Sequence, residues 1–232
     1  MTKLNIDPLE IAKFNEPAAH WWDLAGPFKP LHQINPLRLA YLQSMTALKD
    51  KTIVDIGCGG GILCESLATH GAKVTGIDMS EAALKVAQLH QLETGTSVDY
   101  ILSTAEELAL QRPNQYDIVT CLEMLEHVPD PASVVAACAA LVKPSGHVFF
   151  STINRTMKAY FYAIVGAEYL LKLLPQETHD YAHFIRPAEL SSFARDAHLL
   201  VEDMMGISYN PLTQSYKLTP DIAVNYLMSC KK

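Results

Sequence analysis

The sequence has little of what marks a nucleic-acid-binding or disulfide-bonded protein. Its 232 residues carry 18 Lys and Arg against 25 Asp and Glu, for a net charge of −7, and they contain no basic block. A nucleic-acid partner is therefore not expected. The five cysteines are scattered, with no Cys-x-x-Cys pair. This pattern argues against a disulfide framework or a zinc site and favours reduced, buried thiols in a cytosolic protein.

Long apolar runs are missing as well. No stretch of about 20 apolar residues is present, so no segment is expected to span a bilayer. The N-terminus has no basic region followed by an apolar one, which is the pattern of a signal peptide. There is no internal repeat or low-complexity tract, and 49% of the residues are hydrophobic. A chain of this size can bury one substantial core.

What the chain does have is a glycine-rich turn between a short strand and a helix. Thr52–Gly61 reads TIVDIGCGGG, an apolar run that ends in Asp55 before the glycines, and Ile62–His70 reads as a helix. Strand, glycine-rich turn and helix begin a nucleotide-binding α/β unit. The spacing is G-x-G-x-G, whereas the dinucleotide fingerprint G-x-G-x-x-G would need a further glycine at Ile62. A nicotinamide dehydrogenase is therefore disfavoured, and an ordinary glycine-rich turn stays as the plain alternative.

An acidic residue ends the next strand. Lys73–Asp78 is a β-branched run, and it is followed by Ser80 and a helical stretch. Ligands of open α/β sheets bind outside the carboxyl ends of the strands, and an acid about 20 residues past the glycines accepts hydrogen bonds from ribose hydroxyls. Asp78 fits that role. The alternative is a charge at a helix N-terminus, which Ser80 as N-cap makes unnecessary.

The middle of the chain alternates strands with helices. The predicted elements are the helix Glu81–Leu92, the strands Val98–Ser103 and Tyr116–Cys121, the helix Ala132–Leu141, the turn Lys143–Gly146 and the strand His147–Ser151. This spacing suits βαβ units, a parallel sheet and helices on both of its faces. Leu199–Lys232 reads as extended segments broken at Asn210–Pro211 and Thr219–Pro220.

Four further stretches are characteristic of one family. They are NPLR (Asn35–Arg38), TCLEMLEHVPDP (Thr120–Pro131), KPSGHVFFSTINRT (Lys143–Thr156) and HDYAHFIRPAEL (His179–Leu190). Together with the glycine loop, the chain resembles the bacterial ubiquinone biosynthesis O-methyltransferases over nearly its whole length. The resemblance implies a Rossmann-like class I methyltransferase fold of the α/β class, with a seven-stranded, mostly parallel sheet, one antiparallel strand and helices on both faces.

The resemblance also implies one domain with four parts. Residues 1–48 would form N-terminal lid helices, 50–155 the cofactor-binding core, 156–190 an insertion covering the acceptor, and 191–232 a C-terminal helix and strands. The implied activity is S-adenosylmethionine (SAM)-dependent methylation of hydroxyls on polyprenylated catechol and demethylubiquinol intermediates, in both O-methylation steps. Alternatives are a quinone C-methyltransferase or other small-molecule methyltransferase, and a non-catalytic membrane-associated binding protein.

The family's cofactor positions fall on matching residues of this chain. By resemblance, Arg38 approaches the methionine carboxylate, Gly57 lines the loop beneath the methionine, Asp78 holds the ribose and Leu122 lies near the reacting end. A guanidinium and free loop amides suit a carboxylate. Asp55, Gly59 and Ala105 complete the predicted cofactor residues. The adenine would meet either the Thr104 hydroxyl or backbone near Ala105.

Methylating a phenol requires an activated oxygen, because its pKa lies near 10, as for Tyr. The candidates are Glu123, Glu126 and His127, which would share a face in a helical turn. His127 is the natural general base, since it titrates near neutral pH. The three side chains could instead hold a divalent cation, Mg²⁺ or Zn²⁺. A structural role for His127, bonded to backbone, is the plain alternative.

Two segments are expected to cover the site. Phe14–Phe28 predicts a lid helix on the cofactor side, and His179, Asp180, Tyr181 and His183 form a polar cluster that covers the acceptor or is solvated. The apolar insertion Met157–Pro175 predicts a membrane-surface contact, a channel for a polyprenyl tail, or a buried lid helix. The protein is thus expected in the cytoplasm, with contact at the inner face of the membrane and with other ubiquinone biosynthesis enzymes left open.

Overall fold

A computed structural model describes residues 5–159 and 181–232 of the chain. The helices are α1 (Pro8–Asn15), α2 (Lys29–Met45), α3 (Ile62–Thr69), α4 (Glu81–Thr94), α5 (Ala105–Gln111), α6 (Pro131–Leu141), α7 (Met157–Ala159) and α8 (Pro187–Asp196). The strands are β1 (Thr52–Ile56), β2 (Lys73–Asp78), β3 (Val98–Leu102), β4 (Tyr116–Leu122), β5 (Val142–Ile153), β6 (Leu200–Asn210), β7 (Ser215–Thr219) and β8 (Asn225–Lys231). Short 3₁₀ turns cover Ala18–His20, Leu125–His127 and Tyr181–His183.

The described strands form one eight-stranded sheet in the order β3-β2-β1-β4-β5-β8-β6-β7. Strands β1 to β5 pair in parallel, as predicted. The predicted count of seven strands with one antiparallel is wrong: β8 runs antiparallel to β5 and β6, and β7 runs antiparallel to β6.

The additional strand β7 has a pairing partner because β6 extends beyond the end of its ladder with β8. Residues up to Met205 pair with β8, and from Gly206 onwards β6 pairs with β7 instead. A Cβ at Gly206 would lie 2.0 Å from the carbonyl oxygen of Asp221, so only glycine lets the two chain segments approach this closely. The breaks at Asn210–Pro211 and Thr219–Pro220, read correctly from the sequence, close the hairpin and end β7.

Apolar strands packed between helices build the core. Strand β4 is buried along almost its whole length, as expected for a parallel strand covered on both faces. Phe150 packs in a cluster with α6 residues on one face, and Phe149 packs with Leu42 of α2 on the other. A fully buried side chain of this size contributes about 1.5–3 kcal/mol.

Most predicted elements lie within two residues of their observed bounds, and two differ. The expected helix over Phe14–Phe28 is absent: beyond α1 the chain makes one 3₁₀ turn and bends until α2 begins. Lys143–Gly146 is not a turn before a strand but a bulge inside β5, because the pairing with β4 jumps from Val142 to His147. Across the described residues, every helix is too short or too polar to cross a lipid bilayer.

Candidate active site

A cavity of about 1070 Å³ opens at the carboxyl ends of the parallel strands. Except for Glu126, the predicted site residues all line it: Arg38, Asp55, Gly57, Gly59, Asp78, Ala105, Leu122, Glu123 and His127. These residues come from α2, from the carboxyl ends of β1, β2 and β4, and from the segments that follow β1, β3 and β4. The sheet topology therefore gathers residues that are far apart in sequence, as it does in other open α/β sheets.

The glycine loop turns in a conformation that other residues disfavour. Gly57, Gly59 and Gly61 have φ of +71°, +53° and +87°. A Cβ at Gly59 would lie 2.1 Å from the indole of Trp21, and one at Gly57 would lie 2.7 Å from Met124. The loop therefore needs glycine for its backbone and also for the side chains packed onto it.

Asp78 closes the loop from the end of β2. Its Oδ2 accepts a hydrogen bond from the Gly59 amide at 2.8 Å, and its Oδ1 accepts one from the Ser80 amide at 2.7 Å. Burial raises the pKa of this carboxyl, and the amide donors oppose the rise. The N-cap of α4 is Ser80, whose Oγ accepts from the Ala83 amide at 3.0 Å. Asp78 is therefore not needed as the cap and lies on the cavity wall, where two ribose hydroxyls could reach it.

Arg38 presents a buried guanidinium to the cavity. Its NH2 nitrogen lies 3.0 Å from Oε1 of Glu123, while its Nε makes no hydrogen bond within the described residues. The side chain is 8% exposed. A buried guanidinium with spare donors is suited to a carboxylate ligand. Glu123 in turn contacts two groups: it pairs with Arg38, and its Oε1 accepts a hydrogen bond from the Ser151 hydroxyl at 2.6 Å.

Two other groups at the loop are too deeply buried for surface chemistry. Asp55 accepts a hydrogen bond from the Thr120 hydroxyl at 2.6 Å, and burial raises its pKa to about 6. Burial likewise raises the pKa of the Cys58 thiol to about 11, so this cysteine is a packing residue rather than a nucleophile. All five cysteines of the chain are buried and free of disulfides.

The expected helical turn carrying Glu123, Glu126 and His127 does not form. Glu123 has φ of +53°, and the 3₁₀ turn begins only at Leu125, so the i, i+3, i+4 spacing of a helix does not apply to the three side chains. Glu126 is 4% exposed and accepts from the Thr152 hydroxyl at 2.8 Å. Burial and the nearby Glu123 charge raise the pKa of Glu126. It lies behind the cavity wall, not on it.

His127 is bound by a residue that the sequence did not point to. Its Nδ1 lies 2.8 Å from Oε2 of Glu10 in α1. Hydrogen bonding to His127 lowers the pKa of Glu10 to about 2, so Glu10 is ionised and His127 Nδ1 is the donor. Burial opposes a charged imidazole, but the Glu10 hydrogen bond and the nearby carboxylates outweigh it and raise the pKa of His127. The two residues are 117 positions apart, and no local pattern links them.

The divalent cation, the alternative to a general base, has no fitting ligand set among the described residues. In the part of the chain that the structure describes, no three His, Cys, Asp or Glu side chains converge as a metal site. Glu123, Glu126 and His127 instead bind Arg38, Thr152 and Glu10. Their three partners differ, so these side chains do not form a cation site.

The residues predicted to meet the adenine and the acceptor lie in two places. Thr104 caps α5, accepting from the Glu107 amide at 3.2 Å, while Ala105 and Leu122 are buried on the cavity wall. Of the second polar cluster, Tyr181 packs edge-on against Phe184 and His183 is exposed. Residues 160–180 lie outside the described residues, and with them lie His179, Asp180 and all but three residues of the predicted insertion.

Comparison with known proteins identifies relatives over the full chain. A family model described as a methyltransferase domain matches residues 31–202. The ubiquinone biosynthesis O-methyltransferase of Saccharophagus degradans is 59% identical over 231 residues, covering 99% of this chain and 98% of its own. The protein of the same name from Thiobacillus denitrificans is 60% identical over 228 residues, covering 98% of each chain.

Solved structures share the fold at low identity. The magnesium protoporphyrin IX methyltransferase of Synechocystis PCC 6803, with bound SAH, has a TM-score of 0.72 at 18% identity, covering 97% of this chain and 98% of that one. A SAM-dependent methyltransferase from Thermotoga maritima has a TM-score of 0.65 at 16% identity, covering 97% and 99%. At such identities the likeness concerns the fold.

Proposed function

Because this chain belongs to the ubiquinone biosynthesis O-methyltransferases, we propose that its cavity takes a polyprenylated catechol or demethylubiquinol and serves both O-methylation steps of that pathway. The activity itself is SAM-dependent O-methylation in ubiquinone biosynthesis. One observation carries the assignment of the site: a single cavity joins the glycine loop, Asp78, Arg38 and His127 at the carboxyl ends of the strands.

The residues of the cavity fit SAM. Arg38 offers a buried cation with spare donors to the methionine carboxylate, and Asp78 offers its carboxylate to the ribose hydroxyls. Gly57 and Gly59 remove the Cβ atoms that would otherwise crowd the loop. Leu122 and Ala105 add buried apolar wall. When bound, SAM supplies a methyl group already activated on a sulfonium, so the protein has to orient the acceptor oxygen and remove its proton.

His127 is our candidate for that proton transfer. Glu10 accepts the Nδ1 hydrogen bond and so holds the tautomer in which Nε2 carries the lone pair. In this arrangement Nε2 takes the proton of the acceptor hydroxyl, and Glu10 stabilises the imidazolium that results. Positioned general bases contribute typically 10²–10⁴-fold to a rate. Glu123 and Glu126 are assigned supporting roles, through Arg38 and through the charge near His127.

The acceptor's apolar tail suggests a role for the insertion Met157–Pro175. Its aromatic and aliphatic residues are suited to a membrane surface or to a tail channel. Burial of apolar area there contributes about 25 cal/mol per Å². Replacing Phe161, Ile164 and Leu171 together by Ser should reduce liposome co-sedimentation and activity on long-tailed acceptors, while activity on a short catechol survives. Equal losses on both acceptors, with a lower melting temperature, would assign the segment to the core.

Product identification tests the proposed reaction. The purified protein is incubated with methyl-labelled SAM and a set of catechols and hydroquinones of increasing tail length, and the product is analysed by mass spectrometry. We expect label on a phenolic oxygen. Label on ring carbon would instead indicate a quinone C-methyltransferase, and cofactor binding without transfer would indicate a binding protein. Tight calorimetric binding of NAD without binding of SAM would overturn the assignment.

A further inference from the structure

The N-terminal residues 5–22 cross the mouth of the cavity as a strap. The strap contacts the segments that follow strands β1, β2, β3 and β4. The Trp22 indole N–H donates to the Gly60 carbonyl at 2.9 Å, and the Ser80 hydroxyl donates to Asn15 Oδ1 at 2.6 Å. Asn5 Nδ2 donates to Glu106 Oε1 at 2.9 Å and to the Asp130 carbonyl at 2.8 Å. Glu10 contacts His127 at 2.8 Å.

Glu10 is the strap residue that reaches the candidate base. It lies in α1, whose first turn is fixed by the Asp7 side chain accepting from the Leu9 amide at 2.9 Å. The side chains of Glu10 and His127 are 15% and 13% exposed. The ring of Phe14, one turn further along α1, packs edge-on against the imidazole with centroids 5.1 Å apart. The imidazole is therefore fixed both by a charged hydrogen bond and by an aromatic contact, and both come from α1.

We propose that Glu10 is a positioning residue for methyl transfer, which orients the His127 imidazole when the N-terminal strap is docked. This inference rests on the proposed function of the same cavity. On the loop after β4, the His127 amide donates a turn bond to the Met124 carbonyl at 3.0 Å. Glu10 and Phe14 contact the imidazole from α1, so docking of the strap brings both contacts to the candidate base.

A positioning role differs from a merely structural one in which kinetic constant changes when Glu10 is replaced. If Glu10 orients His127, Glu10→Gln should lower kcat about 10–100-fold, the usual cost of losing a residue that orients a functional side chain. The KM for SAM should change little, because Glu10 does not contact the cofactor residues Arg38 or Asp78. Glu10→Asp keeps the charge and should recover part of the rate. Leu9→Gln, at a 76% exposed position of the same helix, should retain wild-type kcat.

A double-mutant cycle with His127 decides the matter. In a His127→Ala background, which lowers kcat on its own, Glu10→Gln should cause no further loss, because the residue it positions is gone. Equal losses in both backgrounds, or wild-type kcat in Glu10→Gln, would overturn the inference. The His127 Nδ1–H resonance, followed by NMR in wild type and in Glu10→Gln, gives a second measurement that does not depend on turnover. An unchanged resonance would also overturn it. Failure of the proposed function looks different, since the wild-type protein itself would then transfer no methyl group.

Discussion

Arg38 and Glu123 form an ion pair of 3.0 Å between α2 and the end of β4. Glu123 holds a left-handed backbone, φ +53°, and its amide donates to the Ser151 carbonyl at 3.0 Å while the Ser151 hydroxyl donates to its carboxylate. The strand end thus fixes the carboxylate, and the carboxylate fixes the guanidinium. Glu123, proposed from the sequence as a catalytic or metal-binding residue, contacts Arg38, and we expect it to orient that guanidinium.

Replacing Glu123 by Gln should therefore weaken SAM binding more than it slows chemistry. Glutamine keeps the shape but removes the negative charge that pairs with Arg38, and this leaves the buried guanidinium without its counter-charge. We expect the KM for SAM to rise at least several-fold with kcat less affected. Glu81→Gln breaks a surface pair of 2.8 Å with Lys85 and serves as control. A fall in kcat with unchanged KM would return Glu123 to the catalytic group.

Removal of the Asp78 carboxylate should also weaken SAM binding, because the ribose hydroxyls lose their acceptor. Asp78→Ala is expected to cost about 1–3 kcal/mol of binding free energy, which is a 5–150-fold loss in affinity. Isothermal titration calorimetry with SAM measures it. Asp99→Ala changes an acid on the neighbouring strand β3 that is 58% exposed and pairs with Arg112. If both variants bind SAM like wild type, Asp78 has no ribose role.

Alanine at Gly59 and at Gly95 should lower the free energy of unfolding by different amounts. At Gly95 only the left-handed backbone disfavours alanine, whereas at Gly59 the added Cβ would also meet a packed side chain. Both have positive φ, of +53° and +68°, but a Cβ at Gly95 would meet nothing within 4 Å. Gly95→Ala should therefore lose about 1–2 kcal/mol of unfolding free energy and no cofactor affinity. Gly59→Ala should lose more and should also shift the fluorescence of Trp21. Denaturant unfolding compares them, and equal stability losses would show that Trp21 does not press on the loop.

Asp55 should make the protein less stable as pH rises from 4 to 7. Its pKa is raised from 3.8 to about 6 by burial, so its contribution is fully present below 3.8 and is lost as pH rises through 6. The difference corresponds to about 3 kcal/mol. Asp55→Asn removes the titration, and the stability difference between variant and wild type should change by that order across the window. A difference that stays constant from pH 4 to 7 would contradict the raised pKa.

How far the sequence predicts the site depends on whether the contacts are local. The glycine loop after β1 and the place of Asp78 at the end of β2 were predicted correctly, because spacing along one strand–turn–helix unit encodes them. Glu10 was missed because its partnership with His127 spans 117 positions and leaves no periodic signal. The predicted helical turn from Glu123 to His127 was wrong, since the left-handed backbone of Glu123 breaks the helical geometry on which such spacing rules depend.

The fold shows the same division. Alternating strands and helices predict the parallel half of the sheet, since each crossover is fixed by local pattern and handedness. The predicted number of antiparallel strands was wrong because the pairing of β7 depends on how far β6 extends past β8. The hydrophobic pattern of a strand does not show how far it extends past its neighbour.

The extension of β6 past β8 also bears on the cavity wall. All described ladder pairs of β7 are made to the part of β6 beyond Met205, and hairpin residues such as Ser208, Tyr209 and Tyr216 line the cavity. The hairpin can therefore change in length or sequence without altering the β8 pairing that completes the core. Gly206 is the residue of β6 at which the pairing changes from β8 to β7. A change in the hairpin would therefore reshape this part of the cavity wall, while β1 and β2, which carry the glycine loop and Asp78, lie in the other half of the sheet and keep their own pairing.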